Sequence, residues 1–226
     1  QTVAVIDSGI AWDHVALGGG LGASYRVVGG WDFAEQDADP YDDGPAGFHG
    51  THVAGVLASA DVEHPGVATR VDLVGLRVFD DQGAGRVDWL EQALQWVHEH
   101  RERFEHPITT VNLSLGAGLT NAAGEARERL EDEFAQLKTD GIFVAVASGN
   151  SYGIAGVSGL TYPGSSENVV PVASLCAEGS LSEFSQRAGG VLAALGEDVV
   201  STVPSHLFGG SEVANDFAHA HGTSMA

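Results

Sequence analysis

The chain reads as an α/β protein, with a mostly parallel central sheet flanked by helices on both faces. Three observations predict this fold. Short β-branched apolar runs recur and stop at Gly, Asp or Ser, and segments of helical period lie between them. The third is size, since 226 residues that are 43% hydrophobic can bury one sizeable core. Strands alternating with helices imply parallel pairing through right-handed crossovers. No repeat, linker or low-complexity tract interrupts the chain, so residues 1–226 are expected to form one domain.

Taken in order, Thr2-Val3-Ala4-Val5-Ile6 predicts a buried strand that ends at Asp7-Ser8-Gly9. Arg26-Val27-Val28 predicts a short strand closed by Gly29-Gly30. Small residues from His49 to Ala58 predict a helix that packs closely on a sheet. A second long strand is expected over residues 71–79, and an amphipathic helix from Val87 to about Arg103, carried by Val87, Leu90, Leu94 and Val97. Residues 108–116 predict a third strand. The next helix carries Ala126, Leu130, Phe134 and Leu137 and stops at Gly141, a natural residue for the position after a helix end. Ile142 to Ala147 predicts a fourth strand leading into Ser148-Gly149-Asn150. From Val169 onward short strands and turns are expected, with no helix before residue 222.

Composition excludes several function classes. Asp and Glu number 31 against 10 Lys and Arg, a net charge of -21, so a nucleic-acid partner is not expected. No apolar run reaches the ~18 residues that span a bilayer. Cys176 is the single cysteine, which rules out a disulfide within the chain and predicts a buried inert thiol. Residue 1 does not read as a translation start.

Four stretches carry chemistry. Asp7 places a carboxylate where a buried strand leaves its sheet, a position that serves either a turn or a functional site. His49 and His52, at i and i+3 of a helix start, lack the i, i+4 spacing and adjacent Glu of a zinc protease. One histidine as a base and the other as a packed neighbour fits better. Asp32, Glu35, Asp37 and Asp39, in a loop punctuated by Pro and Gly, read either as a solvated acidic loop or as oxygen ligands for Ca²⁺. Gly222-Thr223-Ser224-Met225-Ala226 offers a serine on a tight small-residue turn, before apolar residues that could open a helix. A serine needs a base, and an orienter for that base, to act as a nucleophile.

Asp7-Ser8-Gly9, His49-Gly50-Thr51-His52-Val53-Ala54-Gly55 and Gly222-Thr223-Ser224-Met225-Ala226 together resemble the three signature motifs of the subtilisin-like serine proteases. The order Asp, His, Ser is the one given for subtilisin in general accounts of catalytic triads. Ser114-Leu115-Gly116, Ser148-Gly149-Asn150 and Tyr162-Pro163-Gly164 extend the resemblance. It implies a serine endopeptidase working through an acyl-enzyme, with Ser224 as nucleophile, His49 as general base and Asp7 as its orienter. Asn150 and the Ser224 N–H would form the oxyanion hole.

The resemblance also implies that a peptide or protein substrate lies extended against Gly83-Ala84-Gly85 and Ser114-Leu115-Gly116. Ala147, Ser148, Gly149 and Thr161 would complete an uncharged S1 pocket with apolar or aromatic P1 preference. No cofactor is implied for catalysis. The segment from Val27 to Phe33 and the acids after it are similar to the thermitase-like branch, whose corresponding loop binds calcium. Ala16 and the short loop 60–66 lack the ligands of the family's other calcium site.

Phe48 and Leu195 depart from the usual Gly and Pro. The resemblance suggests an extracellular or periplasmic protein with its own propeptide as a further partner. It also leads to the expectation that the chain is a fragment clipped just before the first strand and just after the nucleophile. Two competing readings are a catalytically inactive protease-like domain that binds peptides, and a metal-dependent hydrolase built on His49 and His52.

Overall fold

Six consecutive residues of strand β1 (Thr2–Asp7) are buried, the pattern of a strand covered on both faces. The computed structural model describes residues 1–42, 44, 47–116, 124–209 and 213–226. After β1 come β2 (Val27–Asp32), α1 (His49–Ala58), β3 (Asp72–Arg77), α2 (Val87–His100), β4 (Ile108–Leu113) and α3 (Gly124–Thr139). They are followed by β5 (Phe143–Ala147), the single-turn helix α4 (Tyr152–Ala155), β6 (Val170–Leu175) and β7 (Leu192–Leu195). The last elements are β8 (Val199–Thr202), the single-turn helix α5 (Ser205–Phe208) and β9 (Phe217–Ala220). Among the described residues the large sheet has seven strands in the order β2-β3-β1-β4-β5-β6-β7, and β8 and β9 form a small separate sheet. The predicted α/β architecture is therefore observed.

The chain divides into two compact units, residues 1–111 with 200–219 and residues 112–199 with 220–226. In the first unit β1 and β2 both pair parallel to β3. β2 runs through Gly29 and Gly30, which the sequence suggested would end it. A Cβ on Gly30 would collide with the Gly75 carbonyl, so glycine is what lets the two strands lie in register. α2 buries Leu90, Ala93, Leu94 and Val97, the i, i+3, i+4, i+7 stripe of an amphipathic helix. It ends at His100, with the Trp96 indole stacked on the His100 ring at 4.1 Å.

In the second unit β5, β6 and β7 pair in parallel. α3 buries Leu130, Phe134 and Leu137. Its end is a Schellman motif: the Gly141 N–H donates to the Lys138 carbonyl, the Ile142 N–H donates to that of Leu137, and Gly141 has φ +79°. The helical turn α5 corrects the expectation of no helix between residues 169 and 222. Cys176 is half-buried, 3.0 Å from the Ser180 hydroxyl, not sealed in apolar core as expected.

Candidate active site

Asp7 is the last residue of β1 and only 1% exposed. One carboxylate oxygen, Oδ1, accepts from the Ser8 N–H at 2.8 Å and lies 2.7 Å from His49 Nδ1. His49 opens α1, and two glycines bring that helix start onto the turn after β1. Gly9 has φ +108°, and a Cβ there would meet the Tyr41 and Pro40 carbonyls. A Cβ on Gly50 would strike the Gly9 carbonyl. The sequence thus places backbone against backbone, and the imidazole reaches the carboxylate without a long side chain. With Nδ1–H donating to Asp7, His49 Nε2 keeps its lone pair and can act as a base. Burial pulls the imidazole pKa down, but the charge and hydrogen bond of Asp7, with a smaller contribution from Asp42, raise it above its usual value. A base so tuned becomes available as pH rises through that raised pKa. His52 is fully buried, with Nε2 3.1 Å from the Ala218 carbonyl, and so is the packed neighbour.

The second unit holds the serine and its surroundings. Residues 223–225 form a turn, closed by the Met225 N–H donating to the Gly222 carbonyl at 3.1 Å. Ser224 Oγ donates to the Ser114 carbonyl at 3.0 Å, while Ser114 Oγ donates back to the Ser224 carbonyl at 2.9 Å. Asn150 Oδ1 accepts from both the N–H and the hydroxyl of Thr223, each at 2.9 Å. A backbone N–H can only donate, so the amide oxygen must face Thr223 and the Nδ2 donor points elsewhere. Thr223 Oγ1 in turn accepts from the Gly149 N–H at 3.2 Å. The sequence reading passed over Thr223 as a positioning residue, although its place beside the serine was a signal.

A cavity of about 210 Å³ is lined by Ser114, Leu115, Gly116, Ala147, Gly149, Asn150, Ser151 and Thr161, together with Thr223 and Ser224. None of these side chains is charged. Ser148, between Ala147 and Gly149, is fully buried, and its hydroxyl donates to the Gln186 carbonyl. Gly83, Ala84 and Gly85 lie in the first unit on an exposed tight turn. There Asp80 accepts from the Gln82 and Ala84 N–H groups, and Gly83 has φ +76°.

The acidic loop is organised by an arginine. Arg77, 2% exposed, ends β3 as the register partner of Asp7 on one side and of Asp32 on the other. Its guanidinium donates to Asp32 Oδ2 at 2.8 Å and Asp81 Oδ1 at 2.6 Å, and lies 3.8 Å from Glu35. Asp32 Oδ1 is occupied by the Ala34 and Glu35 N–H groups. Asp37 accepts from the Asp39 N–H, and Asp39 from the Trp12 indole. Asp32, Glu35, Asp37 and Asp39 therefore do not fit a calcium ion as a set, because the innermost carboxylate already faces a fixed cation. Among the described residues no three His, Cys, Asp or Glu side chains converge on a metal-sized site.

The chain is 33% identical to "Intracellular serine protease" of Paenibacillus polymyxa over 99% of its length and 62% of that protein. It is 30% identical to "Subtilisin E" of Bacillus subtilis over 99% of its length and 51% of that protein. It thus spans between half and two thirds of these relatives. In structure it is similar to a cold adapted subtilisin-like serine proteinase, with a TM-score of 0.74 at 28% identity, covering 100% of this chain and 70% of that one. The Subtilase family model matches residues 1–226, the whole of the sequence, and the chain belongs to the subtilase family.

Proposed function

We propose that this chain carries the catalytic residues of a serine endopeptidase acting on peptide or protein substrates. The observation that carries the reading is the 2.7 Å pair of buried Asp7 and half-buried His49 Nδ1, in a chain that matches the family over its whole length. In the proposed reaction Ser224 Oγ attacks the scissile carbonyl carbon as His49 Nε2 takes its proton. The tetrahedral oxyanion accepts hydrogen bonds from Asn150 Nδ2 and the Ser224 N–H. As the C–N bond breaks, His49 returns the proton to the leaving amine and an ester to Ser224 remains. Water, deprotonated by the same imidazole, then attacks that ester, and the proton passes to Ser224 Oγ as the acid leaves. Asp7 stabilises the imidazolium in both steps and fixes its tautomer. Extended backbone of the substrate would pair with Ser114-Leu115-Gly116 and with Gly83-Ala84-Gly85.

A fluorophosphonate probe is expected to label the protein covalently, and Ser224→Ala to abolish labelling. A wild-type chain that binds peptides but takes no label would instead be the inactive peptide-binding domain. The uncharged cavity supports a preference for apolar or aromatic residues at P1. Cleavage of a peptide library is expected to show Leu, Phe or Tyr there, and a profile dominated by Arg or Lys would overturn that assignment. A relative is named for an intracellular enzyme, so family membership alone does not fix the secreted location that the resemblance suggests.

A further inference from the structure

Near the Asp7–His49 pair lies a second carboxyl group that the mechanism does not use. Asp42 is fully buried, and its Oδ2 accepts from the Thr51 N–H at 3.1 Å and from the Thr51 hydroxyl at 2.7 Å. Thr51 is the third residue of α1, so Asp42 caps the helix that His49 opens. Phe48, at the usual capping position, supplies no side-chain hydrogen bond. The same network reaches back to β1. The Ala11 N–H donates to Thr51 Oγ1 at 2.8 Å, and Ser8, adjacent to Asp7, accepts from the Gly50 N–H at 2.9 Å. Asp42 Oδ1 has no hydrogen-bond partner among the described residues. A buried carboxyl with one oxygen committed and the other bare is poorly placed to hold a full charge.

We propose that Asp42 is a positioning residue for His49, fixing the first turn of α1 through Thr51 and setting the proton affinity of the imidazole through its own charge state. The proposal rests on reading His49 as the catalytic base. The titratable groups whose charges couple to Asp42 are Asp7 at the end of β1 and His49 on α1. Asp81, in the loop after β3 and packed against Gly44, is paired with Arg77. Burial pushes the Asp42 carboxyl up to about 7, with the negative charge of Asp7 adding to the rise. The hydrogen bonds from Thr51, with a smaller contribution from the nearby Ser8 hydroxyl, oppose it.

The sign follows from these charges. Ionised Asp42 favours the imidazolium and protonated Asp42 does not. As pH rises toward neutrality Asp42 loses its proton and thereby helps His49 hold its own to higher pH. The two groups then titrate as a coupled pair, and the His49 curve is broader and centred higher than it would be alone.

Asp42→Asn keeps a carbonyl oxygen for both Thr51 donors and removes the charge. The His49 ring, followed by NMR, is expected to titrate in this variant with its midpoint lower by on the order of half a pH unit and with single-site steepness. The acid limb of kcat/KM should move to lower pH by the same amount. An unchanged midpoint and slope would overturn the proposal. Should the variant fail to fold, the wild-type Thr51 amide reports Asp42 directly. Its chemical shift is expected to titrate with a midpoint near neutrality, and a flat response from about pH 5 to about pH 9 would overturn the proposal. Because the NMR titrations need no turnover, a protein without protease activity would refute the proposed function while leaving this coupling measurable.

Discussion

Arg77→Met is expected to destabilise the protein by about 3–5 kcal/mol, read as a fall in the urea midpoint, because it strands a charge in the interior. Methionine retains much of the aliphatic stem, so the loss is chiefly electrostatic. The guanidinium is the only cation reaching Asp32 among the described residues, and Asp32 is 1% exposed. Burial already raises the Asp32 pKa above its usual value, against the N–H groups of Glu35 and Ala34 and the charge of Arg77. Without Arg77 it would rise further.

A carboxyl whose folded-state pKa is raised loses stability as pH climbs above its unfolded pKa, near ~3.9, because only the unfolded chain releases the proton easily. The penalty in Arg77→Met should therefore be small near pH 4 and large near pH 8. Removing the stranded charge as well, in Asp32→Asn/Arg77→Met, should restore much of the loss at pH 8. A double variant as unstable as the single one would show that packing, and not the buried carboxylate, sets the cost. Arg77 also holds Asp81 and donates from Nε to the Phe79 carbonyl at 3.0 Å, so the proposed substrate-facing turn 83–85 should loosen with it.

What the sequence made legible was local. β1 showed itself because a strand buried on both faces must be continuously apolar, and α2 because its stripe repeats within one helix. Gly141 marked the end of α3 because a left-handed residue with a Schellman pair needs no distant partner. The pair Asp7 and His49 emerged only through family resemblance, since 42 residues separate them and the contact depends on Gly9 and Gly50 letting two backbones touch. Arg77 went unread for the same reason: its partner Asp32 lies 45 residues away, across a strand pair whose glycines suggested a break. The acidic loop accordingly read as a cation site, and the cation that Asp32 faces in the structure is the Arg77 side chain.

Asn150→Ala is expected to lower kcat by about 10²–10³-fold while leaving KM nearly unchanged, since the proposed hydrogen bond forms fully only when charge develops on the carbonyl oxygen. The geometry makes the variant informative. Asn150 Oδ1 is saturated by the two donors of Thr223, which fixes the amide plane and leaves Nδ2 as the donor facing away from them. Truncation removes that donor but also leaves the Thr223 N–H and hydroxyl without their acceptor, so part of any loss could be structural. Asn150→Asp separates the two effects. It keeps both acceptor bonds to Thr223 but replaces the oxyanion donor with an oxygen, and should lower kcat at least as far as alanine does. Thr223→Val keeps Asn150 and the backbone N–H that binds its oxygen but removes the hydroxyl donor, so the amide is held less firmly, and should give a smaller loss of the same kind. If Asn150→Asp retained wild-type turnover, Asn150 would be a structural partner of Thr223 and the oxyanion would have to find its second donor elsewhere.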